Sequence, residues 1–398
     1  MREMTRRQWI DLCSYGRLAA AGVIGVTDVA ESLHEAIARV APPLGRPSAG
    51  RTRGLSRIVY GSIRGVTRLV GRGFELAGGS PGPESMAGDS TPSREAWRAA
   101  VNGVFGDRLA AADNPLAITM QLRRGGESLP LTRAALAQAL PQAGGRLLVL
   151  VHGLCRNDLQ WRQDGHDHGA ALERDHGYTA VYLHYNSGRP IAANGADFAL
   201  LLESLRRAWP VPVRSLTLIG HSMGGLVIRS AVAAARRDAL PWVRRLGRLV
   251  FLGTPHRGAR WERLGKGVES ALRISPYAAP FAQLGGKRSA GIKDLRHGDA
   301  SAFPAGVDCH VIAATLGPRA RPLHDRWLGD GLVPLESALA LHPSPGETPQ
   351  PGSPQRWIAR GTSHLGLLAH GDVYVKLAEW LADTPRPTRA ARRRAPRS

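Results

Sequence analysis

The 398-residue sequence predicts a doubly wound α/β domain with a mostly parallel sheet over residues 94–384. Three observations carry this. Short apolar runs recur at Leu147–Val151, Thr179–His184, Leu216–Ile219, Leu249–Leu252, Cys309–Ala314 and Trp357–Ala359. Helical segments, notably Asn194–Trp209 and Val373–Ala382, alternate with them, and such alternation closes most simply as a parallel sheet with helices on both faces. Finally, Ile118–Leu122 and Ser128–Leu131 read as a small hairpin around Gly125-Gly126, the kind of pair that forms an antiparallel edge on a parallel sheet.

Taken in order, residues 8–40 have one apolar helical face, with Leu12, Tyr15, Leu18, Ala19 and Val23, until Pro42, Pro43 and Pro47 interrupt it. Residues 55–76 are again periodic. Their charges before Glu75 are the arginines 57, 64, 68 and 72, which suits a basic amphipathic helix on a membrane surface or one docked on the catalytic domain or a partner. Glycines 61, 65, 71 and 73 weaken that helix. Residues 1–77 are thus expected to be a helical extension. Residues 78–93 (GGSPGPESMAGDSTPS) are its linker, and Arg94–Ala111 a helix opening the 94–384 domain. Within that domain, residues 257–301 place Trp261, Leu264, Val268 and Leu272 on one face, as either a mobile lid or a packed core helix would. Residues 342–355 form a polar, proline-rich loop, and 385–398 a disordered basic tail.

The formal charge is +21, and only four of the 53 basic residues are lysine, leaving 49 arginines. No zinc knuckle, RNP-like aromatic pattern or recognition helix accompanies this charge, so no nucleic-acid partner is expected. An anionic membrane or lipid surface is the more reasonable partner, with peripheral contact through 55–76. Cys13, Cys155 and Cys309 are too few and too far apart for a disulfide framework or a metal set. The apolar run Leu18–Val26 is too short to cross a bilayer, and Asp11 and the lack of a cleavage site argue against Arg6-Arg7 as an export signal. A cytoplasmic location is the expectation, with membrane association and export both left open.

Residues 216–229, LTLIGHSMGGLVIR, place Ser222 at the centre of G-x-S-x-G between a strand and a helix. A serine forced into so sharp a turn leaves no room for side chains two residues either way, hence Gly220 and Gly224. A nucleophilic serine needs a base, an acid that orients the base, and oxyanion donors. Downstream, Asp330 lies in the turn Gly329-Asp330-Gly331, with Asp325 as its rival. His364 follows the last strand by a short loop, and His324, His342 and His370 compete with it. The oxyanion donors are assigned to the backbone N–H groups of Met223 and Leu154, the latter at the end of the first apolar strand. His152 reads as ordering that loop, and Cys155 as a small buried filler.

Leu150-Val151-His152-Gly153-Leu154, Gly220-His221-Ser222-Met223-Gly224-Gly225-Leu226, Leu252–Gly258, Asp330-Gly331-Leu332-Val333-Pro334 and Ser363-His364-Leu365 follow one another as in bacterial serine lipases and esterases. The chain resembles the α/β-hydrolase lipases, including the GPI inositol-deacylase-like group, over roughly residues 95–384. The resemblance implies an α/β-hydrolase fold, a triad of Ser222, Asp330 and His364, an oxyanion hole at Leu154 and Met223, and ester hydrolysis without a cofactor or metal. Acyl transfer on the same fold, or lipid binding by an inert fold, would present the same residues.

Overall fold

The structure, a computed structural model, describes residues 92–258, 289–295, 298, 303–319, 329–341 and 353–382. The N-terminal helices expected up to residue 77, most of the linker and of the possible lid, most of the proline-rich loop, and the basic tail lie outside these residues. The chain divides into two units, residues 1–90 with 112–116 and residues 91–111 with 117–398. The sheet belongs to the second.

Helix α1 (Pro92–Ala111) starts two residues inside the expected linker, with proline where its missing N–H costs nothing. The hairpin follows as β1 (Gln121–Arg124) and β2 (Glu127–Ser128), shorter and more central than predicted. Next come α2 (Arg133–Ala139), β3 (Arg146–Val151), α3 (His168–His176), β4 (Thr179–His184), α4 (Ile191–Ala208), β5 (Ser215–His221) and α5 (Met223–Arg237). The remainder is β6 (Leu246–Leu252), the short α6 (Ala290–Asp294), β7 (Asp308–Thr315), the short α7 (Leu335–Ala338), β8 (Gln355–Arg360) and α8 (Gly371–Leu381). A short 3-10 helix, Asp158–Trp161, follows β3.

The eight strands form one sheet in the order β2-β1-β4-β3-β5-β6-β7-β8. Strand β1 runs antiparallel to both β2 and β4, while every pair from β4 to β8 is parallel. Strand β3 lies centrally, with Val149 level with Val181 and Leu218. This is the α/β-hydrolase fold: a parallel sheet with an antiparallel edge and a sharp strand-to-helix turn at Ser222 directly after its central strand β5. Because side chains alternate across a strand, β3 feeds two cores. Leu147, Val149 and Val151 pack under Phe198, Leu202 and Leu205 of α4 and Leu226 and Val227 of α5. Leu148 and Leu150 pack on the other face with Leu172 of α3 and Val373, Leu377 and Leu381 of α8. Both faces are covered, which is why these strands are continuous apolar runs rather than alternating ones.

Candidate active site

Strand β5 hands the chain to α5 through a single residue. Ser222 sits at φ 54° and ψ −125°, a region that side-chain-bearing residues seldom occupy. Its N–H donates to the Leu252 carbonyl (2.8 Å), and its own carbonyl accepts from Gly225 N–H (3.0 Å). The flanking glycines are explained by what surrounds them. A Cβ on Gly220 would lie 2.6 Å from Gly225 Cα, and one on Gly224 would run into the Val151 carbonyl and lie 2.6 Å from that of His152. Thus β3 and α5 press together at the turn, and only hydrogen atoms fit between them.

The loop after β3 approaches the serine just as closely. A Cβ on Gly153 would lie 3.0 Å from Ser222 Cβ. Leu154 is half-buried beside it. Met223 is the first residue of α5, where backbone N–H groups have no partner within the helix and the dipole favours negative charge. His152 donates from one tautomer, Nδ1 to the Gly153 carbonyl (2.9 Å), and stacks on Tyr185 with ring centres 4.4 Å apart. Burial pushes its imidazole down to about 3, so it is neutral. Cys155 adopts φ 58°, and its N–H donates to Ser187 Oγ at 3.1 Å. Burial pushes the thiol up to about 12, so it stays protonated and is no nucleophile.

Asp330 and His364 come from different turns at the carboxyl end of the sheet, and both are buried. His364 Nδ1 donates to Asp330 Oδ2 at 2.6 Å. The other carboxylate oxygen accepts from the N–H groups of Leu332 (3.0 Å) and Val333 (2.8 Å), which fixes its direction. The backbones are linked as well, His364 N–H to the Asp330 carbonyl at 3.1 Å. Gly329 bends at φ 48° because a Cβ there would strike the Val333 carbonyl. The loop carrying His364 is tied back to the end of β7 by Thr362 N–H on the Thr315 carbonyl.

Two contacts relate this pair to the serine. His221, next to Ser222, donates from Nε2 to the His364 carbonyl (3.0 Å), and the two rings are 4.8 Å apart. Gly253 follows the strand that holds Ser222 N–H, and a Cβ on it would lie 3.0 Å from His364 Nδ1. No hydrogen bond joins Ser222 Oγ to His364 among the described residues. Of the rivals, His370 caps α8 by accepting from Asp372 N–H at 3.3 Å. Asp325, His324 and His342 lie outside the described residues. His221 and Gly253 stand in the motifs read from the sequence, but nothing there foretells their contacts with His364. The first x of G-x-S-x-G tolerates many residues, and only folding reveals that this one grips the loop carrying His364.

A second polar cluster joins the segment after β3 to α1, β1 and β4. Arg123 of β1 bridges Glu95 of α1 (2.9 Å) and Asp158 (3.4 Å), and Asp158 also meets His184 Nδ1 at 3.1 Å. Among the described residues, no three His, Cys, Asp or Glu side chains converge as a metal would require. Nor is any described helix long and apolar enough to cross a membrane.

No family model matches the chain, and no curated protein matches it. Among solved structures, it is similar to the mature lipase BlEst2 of Bacillus licheniformis at 17% identity, over 67% of this chain and 98% of that one, with a TM-score of 0.42. It is also similar to the RedJ thioesterase of Streptomyces coelicolor (18% identity, 61% and 91% covered, TM-score 0.39). A thermophilic esterase of Thermogutta terrifontis is a third (17% identity, 60% and 90% covered, TM-score 0.37). The fold assignment rests on the strand order and the strand-to-helix turn at Ser222.

Proposed function

We propose that this chain is a serine hydrolase that cleaves carboxylic esters through an acyl-enzyme. The observation that carries the reading is the strained Ser222 turn at the same sheet end as a buried, hydrogen-bonded His364–Asp330 pair. In this reading Ser222 Oγ attacks the ester carbonyl carbon while His364 Nε2 takes the hydroxyl proton. Asp330 holds Nδ1–H, which fixes the tautomer and favours the imidazolium. The negative oxygen of the tetrahedral intermediate accepts from the Met223 and Leu154 N–H groups, each contributing about 3–4 kcal/mol. Its collapse breaks the ester C–O bond, and His364 returns the proton to the departing alcohol. Water then repeats the sequence and releases the acid. The Ser222–His364 hydrogen bond forms when substrate closes the site, since such bonds are often long in empty enzymes.

The test is labelling with a fluorophosphonate, peptide mapping, and hydrolysis of p-nitrophenyl esters of increasing chain length. The label is expected on Ser222. Ser222→Ala is expected to lower kcat on the order of 10⁶-fold. Equal rates in both proteins would overturn the reading.

A further inference from the structure

Arg156 is buried without a counter-ion among the described residues. Buried Arg123, by contrast, has the carboxylates of Glu95 and Asp158. Arg156 is 9% exposed, yet its one hydrogen bond runs from Nη2 to the neutral Gln160 carbonyl at 3.1 Å. No carboxylate pairs with it among the described residues. Burial pulls its guanidinium down to about 10, which still leaves it cationic at neutral pH. A buried charge is normally paired, so a cation kept this way calls for an anion from outside.

Its position says where that anion would lie. Arg156 is two residues past Leu154, on the loop that packs against Ser222 Cβ through Gly153. Its charge reaches both His152 and His221, opposing their protonation after the larger effect of burial. His221 is the residue before Ser222, and Trp161 stands edge-on to it with ring centres 6.4 Å apart. The same short segment carries two more donors with nothing to donate to. Trp161 Nε1 and Asn157 Nδ2 are buried and have no hydrogen-bond partner. The Asn157 amide cannot be turned to cure this, because its oxygen already accepts from Gln160 N–H (3.2 Å). A water could satisfy the indole or the amide, but it brings no opposite charge to a buried guanidinium.

We propose that Arg156, supported by Trp161 and Asn157, is an anion subsite beside the nucleophile turn, and that the preferred ester carries a carboxylate or a phosphate. A guanidinium suits either group, since its fork matches their paired oxygens. The substrate preference rests on Ser222 being the nucleophile; the anion site does not.

The experiment has a binding arm and a turnover arm, both on the full chain. Ser222→Ala is titrated calorimetrically with glutarate and with inorganic phosphate, then again with Arg156→Leu added. Wild type, Arg156→Leu and Arg156→Lys are compared on p-nitrophenyl butyrate against mono-p-nitrophenyl glutarate, and on a monoacylglycerol against its 3-phosphate. At least one anion is expected to bind Ser222→Ala at millimolar concentration or better and to be lost with Arg156→Leu. The charged-over-neutral ratio of kcat/KM is expected to fall about tenfold or more in Arg156→Leu and less in Arg156→Lys. The glutarate pair reports a carboxylate substrate and the phosphate pair a phosphate one. Failure of both anions to bind Ser222→Ala, or ratios unchanged by either Arg156 variant, overturns the proposal. Should wild type hydrolyse no ester, the Ser222 reading fails, and the titration alone decides the subsite. Should Arg156→Leu not fold, Arg156→Lys and the Ser222→Ala titration still decide it.

Discussion

At the scale of single residues, the candidate site is a set of side chains held in directions that they would not choose alone. Ser222 occupies a backbone region that costs a non-glycine residue on the order of 1–3 kcal/mol, and the Leu252 carbonyl and Gly225 N–H hold it there. Asp330 is fixed by two backbone donors on one oxygen, so its other oxygen can face only His364 Nδ1. This makes Asp330→Asn informative. The amide keeps the size and can keep the turn, but it can present an N–H to Nδ1 and so favour the wrong tautomer of His364. In the reading proposed above, kcat should fall about 10⁴-fold with the thermal midpoint little changed. Steady-state kinetics beside a melting curve checks both, and near-wild-type kcat would remove Asp330 from the reaction.

At the scale of elements, what matters is how closely β3, β5 and α5 approach one another. Gly224 is the contact point, with the Val151 and His152 carbonyls where a methyl would go. Gly224→Ala should therefore force β3 and α5 apart and destabilise by about 1–3 kcal/mol or more. Gly247 of β6 is the control, since a Cβ there meets nothing nearer than the Leu216 carbonyl at 3.9 Å. Urea midpoints separate the two, and an equal response would mean the turn has slack. The same closeness explains which elements were legible in the sequence. Buried strands are apolar on both faces, so β3 to β7 stand out as short, mostly apolar runs. Helix α3 carries little periodic signal, because His168–His176 reads HGAALERDH, in which Leu172 is the one large apolar side chain that buries itself. Strand β2 shrank to two residues because Leu129 and Leu131, which suggested a strand, pack into the core from the connection that follows it. At the candidate site, the turns that carry Ser222, Asp330 and His364 can be picked out by their glycines. Contact cannot: Asp330 and His364 are 34 residues apart in the chain, and the His221 link to His364 spans 143.

At the scale of the whole molecule, the unusual quantity is how many imidazoles the core holds neutral. Burial brings His152 down to about 3 and His168 and His310 to about 4, and it holds His221 and His256 well below 6.5. In the unfolded chain these histidines titrate near 6.5. Above that pH both states are neutral and the groups contribute no pH dependence. Below it the unfolded chain takes up protons that the folded one refuses, so stability falls as pH falls. Each histidine contributes a slope of up to about 1.4 kcal/mol per pH unit until its folded value is reached. His152, His168 and His310 together give about 4 kcal/mol per unit near pH 5, against a typical total stability of about 5–15 kcal/mol. The urea midpoint should hardly change from pH 8 to 7, drop steeply below 6.5, and vanish before pH 4. His310→Leu tests the cause rather than the outcome. His310 lies in β7, stacked on Trp380 at 4.7 Å and away from the candidate site, so replacing it should flatten the slope by up to about 1.4 kcal/mol per pH unit. A midpoint that holds from pH 7 to 5, or a His310→Leu slope equal to wild type, would show that these imidazoles take up protons inside the folded protein.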